Sequence, residues 1–184
     1  MNKKRIYKAL VIDVNVASSA NDQSEHPQAY YCADFLTITL VKEFNIVCTP
    51  EIEDEWNNNF ESRFLSRWRS GMKSAGLIMK KDSPKNEILR KKLHNSTKKN
   101  SQVVMSKDYH LVEAALITGY IIISLENNSR KHFSIAAQKV GEIKELMWVN
   151  PEKVDEKAIE WLENGAPVEN ERYLVNYDDK KSFL

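Results

Sequence analysis

The stretch Ala9-Leu10-Val11-Ile12-Asp13 places four consecutive apolar residues directly before a carboxylate. An apolar run this short, without alternating polar residues, predicts a strand that is buried on both faces of a sheet. The stretch 121–126, Ile-Ile-Ile-Ser-Leu-Glu, repeats this arrangement later in the chain, again with an acid at its end. We therefore expect two buried strands, within residues 7–16 and 120–125, each followed by a carboxylate.

Further apolar runs and longer periodic segments surround these two strands. Runs at 46–49 and 146–149 predict two more strands. Apolar residues at three- and four-residue steps predict a core-facing helix over 29–44, and Pro50 is expected to begin a helix that continues into the seventies. Other helices are expected over 85–92, 108–116, 129–137 and 154–163, loops over 21–28 and 95–101, and a peripheral tail beyond residue 165. This alternation predicts an α/β fold with parallel βαβ units.

Length and composition exclude several classes of protein. The 184 residues correspond to about one domain, and 42% hydrophobic residues with 4 Trp, 7 Tyr and 6 Phe exclude global disorder. No apolar run approaches the ~20 residues that a membrane span needs. Asp13 and Asn15 interrupt the first apolar stretch, which argues against a signal peptide. Because Cys32 and Cys48 form neither a metal-binding spacing nor a disulfide framework, we expect a reducing, cytoplasmic site of action and no membrane partner.

The charges are unevenly distributed along the chain. Residues 63–99 contain 12 Lys or Arg and two acids, whereas residues 141–184 contain 11 acids and 6 Lys or Arg. A basic block of this kind predicts a polyanionic partner, although a solvated helix face is an equally ordinary explanation. The candidate contacts to RNA phosphates are Arg67, Arg69, Lys91, Lys92, Lys98 and Lys99.

Acidic residues follow or flank the predicted strands. Asp13 and Glu126 end two strands, Glu55 lies about one turn into the helix after the second strand, and Asp108 begins a later helix. Ligands of parallel sheets bind in the crevice outside the carboxyl ends of the strands, so we expect these acids to converge there. Crowded carboxylates repel one another unless a cation neutralises them, and oxygen ligands without a Cys or His cluster favour Mg²⁺ or Mn²⁺. Such ions suit the attack of water on a phosphodiester, which favours a nuclease.

Four segments in this order resemble the motifs of PIN-domain ribonucleases, a superfamily that includes toxins of the VapC kind. They are VIDVNVASSA at 11–20, TPEIEDEW at 49–56, KDYHLVEAAL at 107–116 and IIISLENNSRKHF at 121–133. The resemblance covers most of residues 1–150. It implies a three-layer α/β/α sandwich with a mainly parallel sheet, and divalent-metal-dependent cleavage of single-stranded RNA that leaves a 5′-phosphate and a 3′-hydroxyl.

The resemblance also assigns roles to individual residues. It implies that Asp13, Glu55, Asp108 and Glu126 are catalytic and bind the metal, with Glu126 standing where the family usually has Asp. Supporting roles fall to Asn15 in the D-x-N pattern, to the hydroxyl of Ser124, and to the neutral oxygens of Asn127 and Asn128.

Several of these assignments have alternatives. Asp108 is also suited to capping the helix that follows it, and the helix acid is Glu51 rather than Glu55 if the register shifts. Asn15 is also suited to holding its loop by hydrogen bonds. His110 and Glu113 are expected on the helix surface or flanking the site, without a catalytic role.

The predicted organisation is a nuclease domain over residues 1–150 and a helical extension over 151–184. The acidic extension is a candidate for docking a partner or a second copy of the chain. A toxin would have an antitoxin, and a defence effector a regulatory subunit. The alternative function is a degenerate PIN module that binds RNA or a protein without cleavage, an alternative that Glu126 keeps open.

Overall fold

A computed structural model describes residues 9–20, 26–58 and 62–178, and these residues form an α/β fold. The strands are β1 (Ala9–Ile12), β2 (Asn45–Cys48), β3 (Ile78–Lys80), β4 (Ile121–Ile123) and β5 (Met147–Val149). They form one sheet in the order β3-β2-β1-β4-β5, and every neighbouring pair is parallel. Because β1 pairs with β2 through Leu10 and with β4 through Val11, it lies at the centre of the sheet.

Helices flank this sheet and complete a three-layer α/β/α sandwich, as expected. They are α1 (Val14–Ser19), α2 (Pro27–Val41), α3 (Pro50–Asn58), α4 (Arg63–Ser74), α5 (Glu87–Ser96), α6 (Lys99–Ser106), α7 (Tyr109–Leu116), α8 (Asn127–Ala137) and α9 (Ala158–Glu163). Helix α7 packs on β1 and β4, and α2 packs against α1, α4 and α9. The all-apolar β1, β4 and β5 are almost completely buried, which is the reason for their lack of polar alternation.

One glycine permits a close approach between α7 and the central strand. Gly119 follows α7, and a Cβ at this position would lie 2.1 Å from the carbonyl oxygen of Ala9. No side chain fits at that distance, so the turn from α7 into β4 requires a residue without one. Gly119, which the sequence predicted to end this helix, therefore also allows the helix to pack closely against β1.

Three local expectations are wrong. At 78–80 the sequence indicated only an interruption between helices, whereas the structure has the strand β3. Its residues are half-buried or exposed at the edge of the sheet. The helix that begins at Pro50 ends at Asn58, and a separate helix starts at Arg63 with the Ser62 hydroxyl accepting from Leu65 N–H at 3.0 Å. The predicted loop at 95–101 contains the end of α5 and the beginning of α6.

The tail beyond residue 165 is also not peripheral. Leu174 is fully buried, and its N–H donates to the carbonyl oxygen of Leu146 at 2.8 Å. Tyr173 forms an antiparallel bridge with Met147, the first residue of β5. Arg172 is buried and its guanidinium donates to the carbonyl oxygen of Glu156 at 2.7 Å. These contacts attach the acidic tail to the β5 edge of the sheet.

Parts of several predictions concern residues outside the described ranges, among them 59–61 in the helix predicted from Pro50 and 179–184 in the C-terminal extension. The beginning of the first strand at 7–8 and the loop residues 21–25 belong to this group. Residues 26–28 of the predicted loop are described, and α2 begins among them, at Pro27. In the described residues, no helix has both the length and the apolar character needed to cross a bilayer.

Candidate functional site

Asp13 lies at the carboxyl end of β1 and is the N-cap of α1. Its N–H donates to the carbonyl oxygen of Ile123 at 2.9 Å, which fixes it beside the end of β4. The carboxylate is only 6% exposed and accepts hydrogen bonds from the Ser124 hydroxyl at 2.6 Å and from Asn15 N–H at 3.3 Å. Burial raises the pKa of Asp13 to about 6 despite these hydrogen bonds, and the negative charges of Asp108 and Glu55 also raise it.

A polar network joins the ends of β1 and β4. The Asn15 side chain donates to the Ser124 hydroxyl at 3.4 Å and accepts from Leu125 N–H at 3.2 Å. The same hydroxyl accepts from Glu126 N–H at 3.1 Å. Ser124 and Asn15 therefore hold both Asp13 and the turn that carries Glu126, and the loop-holding interpretation of Asn15 agrees with these bonds.

Glu55 is brought to the same edge by α3. The neighbouring Trp56 indole N–H donates to the carbonyl oxygen of Ile12 at 3.3 Å, which ties α3 to the end of β1. A carboxylate oxygen of Glu55 lies 3.2 Å from Nε2 of His110 on α7. Burial lowers the pKa of His110, but the hydrogen bond with Glu55 and the charges of Glu55, Asp108 and Asp13 outweigh this effect and raise it above its ordinary 6.5.

Asp108 occupies the N-cap position of α7, but its side chain makes no capping hydrogen bond. Burial raises the pKa of Asp108, a hydrogen bond with Ser129 and the charge of His110 lower it, and the charges of Glu126 and Glu55 raise it, so that the pKa lies above its ordinary value. The Asp108 carboxylate therefore does not cap α7, and the charges of Glu126 and Glu55 act on it.

Glu126 is exposed and stands at the N-cap position of α8 without a capping bond from its side chain. The neighbouring Asn127 accepts a hydrogen bond at 3.2 Å from the side chain of Asn150, whereas Asn128 is exposed. Asn150 was not selected from the sequence. It is buried, directly follows β5 and also donates to the carbonyl oxygen of Leu125 at 3.4 Å. Its signal was the one that identified Asp13, namely a polar residue directly after a buried strand.

The four acids thus share one electrostatic neighbourhood at the carboxyl edge of the sheet. The charges of Asp108 and Glu55 act on Asp13, and those of Glu126 and Glu55 act on Asp108. However, within residues 9–20, 26–58 and 62–178, no three or more His, Cys, Asp or Glu side chains are arranged to hold a metal ion. The donors are of the type that Mg²⁺ and Mn²⁺ prefer, but their spacing does not enclose an ion.

Two other acids have structural partners. Glu51, the alternative helix acid, accepts a hydrogen bond from the Ser83 hydroxyl. Glu113 is buried rather than on the helix surface, because two nitrogens of Arg90 donate to its two oxygens at 2.7 Å each. Asn86 N–H donates to the same carboxylate at 2.9 Å. Glu113 therefore ties α7 to α5, whereas His110 flanks the site, as expected.

The candidate RNA-binding residues fall on separate helices. Arg67 is exposed on α4, while Arg69 is half-buried and donates to the side-chain oxygen of Asn57 at 2.8 Å. Lys91, Lys98 and Lys99 are exposed on or next to α5 and α6, and Lys92 forms an ion pair with Glu142. The basic block is thus partly compensated by acids that lie nearby in space but belong to other parts of the chain.

Comparison with known proteins does not add to these observations. Neither a family model, nor a curated protein, nor a solved structure matches the chain. The likeness to PIN domains accordingly stays an interpretation of the four sequence segments.

Proposed function

We propose that this protein is a divalent-metal-dependent endoribonuclease of the PIN kind, which cleaves phosphodiester bonds in single-stranded RNA. The observation that carries the proposal is the burial of Asp13 beside Asp108 and Glu55 at the carboxyl edge of a parallel sheet. A carboxylate with a pKa near 6 among other acids is costly to keep charged, and such sites are commonly functional.

In the proposed site, Asp13, Glu55, Asp108 and Glu126 would hold Mg²⁺ or Mn²⁺, directly or through water. Bound there, such an ion supplies a nucleophilic water at neutral pH and neutralises charge on the leaving oxygen. Ser124 and Asn15 orient the Asp13 carboxylate, and the contact of His110 Nε2 with a Glu55 carboxylate oxygen raises the pKa of His110. The side chain of Glu126 is exposed, while its N–H donates to the Ser124 hydroxyl at 3.1 Å.

The proposed partners follow from charge. Exposed Lys91, Lys98, Lys99 and Arg67 would contact RNA phosphates, which gives affinity with little base selectivity. We also propose that the protein acts in the cytoplasm as a toxin or defence effector. Its acidic extension at 151–184 would dock an antitoxin, a regulatory subunit or a second copy of the chain.

A second candidate function is a module that binds RNA or a protein without cutting. The spacing of the acids favours it, because no described group is arranged to hold a metal ion. The pairing of Glu55 with His110 favours it as well, since an oxygen of this carboxylate is already in contact with His110 Nε2 at 3.2 Å.

The experiment that separates the two functions is a cleavage time course. The full chain is incubated with fluorescent single-stranded RNA in Mg²⁺, in Mn²⁺ and in EDTA, beside Asp13→Asn and the control Asp54→Asn, an exposed acid on α3. We expect metal-dependent cutting that leaves 5′-phosphates, a loss of at least ~100-fold in Asp13→Asn and none in the control. Absence of cutting by a folded protein that binds the same RNA would support the second candidate. Equal cutting by Asp13→Asn would refute the site assignment.

A further inference from the structure

The turn that carries Glu126 is held from two sides. The Leu125 N–H donates to the side chain of Asn15 at 3.2 Å, and the Leu125 carbonyl oxygen accepts from the side chain of Asn150 at 3.4 Å. The same nitrogen of Asn150 donates to Oδ1 of Asn127 at 3.2 Å. Asn15 lies just after β1 and Asn150 just after β5, and these are the two strands that neighbour β4. Both polar groups of the Leu125 backbone are therefore fixed by amide side chains from the strands on either side.

The side chain of Asn150 has one orientation that satisfies its surroundings. It is only 2% exposed, and its Oδ1 accepts from Glu152 N–H at 2.9 Å. Its amide nitrogen faces two acceptors, the oxygens of Leu125 and Asn127. A flipped amide would place its oxygen against both acceptors and its nitrogen against a donor, which is costly for a buried group. The Asn150 amide is therefore fixed in direction before it contacts the turn.

A buried carboxylate anchors Asn150 in turn. The Asn150 N–H donates to an oxygen of Glu156 at 3.0 Å, and a guanidinium nitrogen of Arg130 on α8 donates to the other oxygen. Glu156 and Arg130 are both fully buried, and Arg172 donates to the Glu156 carbonyl oxygen at 2.7 Å. Breaking a buried ion pair leaves an uncompensated charge, so this arrangement resists displacement. One carboxylate thus fixes both Asn150 and α8, the helix that begins at the turn.

We propose that Asn150 is a positioning residue of the candidate site, which sets where the turn at 124–127 lies relative to Asp13. The role of Glu126 in this inference rests on the proposed function. The Glu126 side chain is exposed and makes no capping bond, so its backbone determines its place. The Ser124 hydroxyl donates to Asp13 and accepts from Glu126 N–H, so a displaced turn also disturbs the buried carboxylate. Small displacements of such groups are enough to impair a catalytic site.

Amide hydrogen exchange of the full chain, followed by NMR, tests the positioning without any need for catalysis. In Asn150→Ala, the N–H groups of Leu125 and Glu126 should exchange faster because the turn can open locally. The reference is the Met147 N–H at the other end of β5, which donates to a carbonyl oxygen at 2.9 Å. We expect the two turn amides to accelerate at least ~10-fold more than this reference, the effect of about one lost hydrogen bond.

The control weakens the same strand at its other end. Leu146 is fully buried and directly precedes β5, so Leu146→Ala removes core packing without touching the turn. Here Leu125 and Glu126 should show no acceleration relative to Met147. Asn127→Ala is a milder variant that removes one of the two acceptors of Asn150 from a half-buried position. It should have a smaller effect in the same direction as Asn150→Ala, and it decides the question if Asn150→Ala does not fold.

RNA cleavage adds a readout that a purely structural role would not move. In Asn150→Ala we expect kcat to fall at least ~10-fold with KM changed less than ~2-fold, because the lysines proposed to bind RNA stay in place. Folded Leu146→Ala should keep the kcat of the wild type. A wild type that cuts no RNA would refute the proposed function, whereas the exchange rates would still decide whether Asn150 positions the turn.

Two outcomes would overturn the inference. One is equal acceleration of Leu125, Glu126 and Met147 in Asn150→Ala, which would mean that Asn150 affects only the stability of the whole fold. The other is an active wild type whose kcat is unchanged in Asn150→Ala.

Discussion

Asp13 is a carboxylate that the fold buries among other acids, and its charge has an energetic cost at neutral pH. The rise of its pKa from 3.8 to about 6 corresponds to about 3 kcal/mol, at 1.36 kcal/mol for each pKa unit. The Ser124 hydroxyl and Asn15 N–H keep this cost from being larger. A residue with only a structural role would not need to carry this costly charge. For that reason we propose a functional role for Asp13.

Replacing Asp13 by Asn is therefore expected to stabilise the protein at pH 7.5 in EDTA. Removal of the charge contributes about 3 kcal/mol, and loss of one hydrogen-bond acceptor costs about 1 to 2, so the expected net gain in unfolding free energy is about 1 to 2 kcal/mol. Because the native carboxyl of the wild type is protonated below pH 6, the gain should shrink as the pH falls from 6 towards 4. Urea unfolding at several pH values measures it, and a variant less stable than the wild type at pH 7.5 would contradict the assigned burial cost.

His110 provides a second prediction, on its titration. Its pKa is expected above 6.5 in the wild type, because the hydrogen bond with Glu55 and the charges of Glu55, Asp108 and Asp13 outweigh the effect of burial. In Glu55→Gln the hydrogen-bonded charge is lost while the burial stays, so the pKa should fall. Ring-proton NMR across pH 5 to 9 measures both, with exposed Asp54→Asn as the control that leaves the titration unchanged. An equal pKa in wild type and Glu55→Gln would show that the 3.2 Å contact does not exist in solution.

At the scale of elements, the four strands with buried residues were predictable, whereas the partly exposed edge strand β3 was not. The apolar runs of β1, β4 and β5 predict strands because nearly every residue in them is buried in the core on one face of the sheet or the other. The strand β3 includes only two residues of the short apolar run Leu77-Ile78-Met79, which lies between Gly76 and Lys80-Lys81, and its pairing with β2 defines it.

The candidate site also has a part that could be predicted from the sequence and a part that could not. Asp13, Asn15 and Ser124 were predictable because each follows a recognisable strand. The contact between Glu55 and His110 joins two helices far apart in sequence, and no local pattern encodes it.

The close packing of α7 on β1 gives a prediction for Gly119, which follows the helix. A methyl group at Gly119 would meet the carbonyl oxygen of Ala9 at 2.1 Å, so Gly119→Ala must displace the turn or the central strand. We expect a loss of about 3 kcal/mol or more in stability, the magnitude typical of strained or overpacked sites.

The matched control for this change is Gly141→Ala. Gly141 has an ordinary backbone conformation, and a Cβ there would meet no atom within 4 Å. Thermal melting of both variants at one pH distinguishes them. Similar melting temperatures for the two would refute the close approach.

At the scale of the whole molecule, only part of the basic block at 63–99 forms a positively charged surface, because some of its side chains pair with acids. Arg90 is used by Glu113 and Lys92 by Glu142, which leaves Lys91, Lys98 and Lys99 among the exposed cations. Composition alone predicts a basic block, but the acids that compensate it come from other parts of the chain.

Reversing Lys91, Lys98 and Lys99 to Glu is expected to weaken RNA binding by at least ~10-fold and to flatten its salt dependence. If each lysine neutralises one phosphate of a single strand, the slope of log K against log salt should decrease by about 2. Fluorescence anisotropy at several salt concentrations measures both quantities.

The control for this variant changes the net charge equally. Lys42, Lys144 and Lys157 are exposed on other parts of the molecule, and their reversal to Glu should have a much smaller effect. If both triple variants bind RNA alike, the basic block is an ordinary solvated surface.

The strand order β3-β2-β1-β4-β5 has a consequence for how this chain would evolve. The chain winds outwards from β1 through β2 to β3, then returns to the centre and winds the other way through β4 to β5. Since such crossovers are right-handed, the connections that leave β1 and β4 depart to opposite faces and create a topological switch point between them. That gap belongs to the path of the backbone and not to any side chain. A descendant that lost Asp13 would lose the charge but keep the opening, so a catalyst and a binding module of this fold would recruit their ligands at the same place.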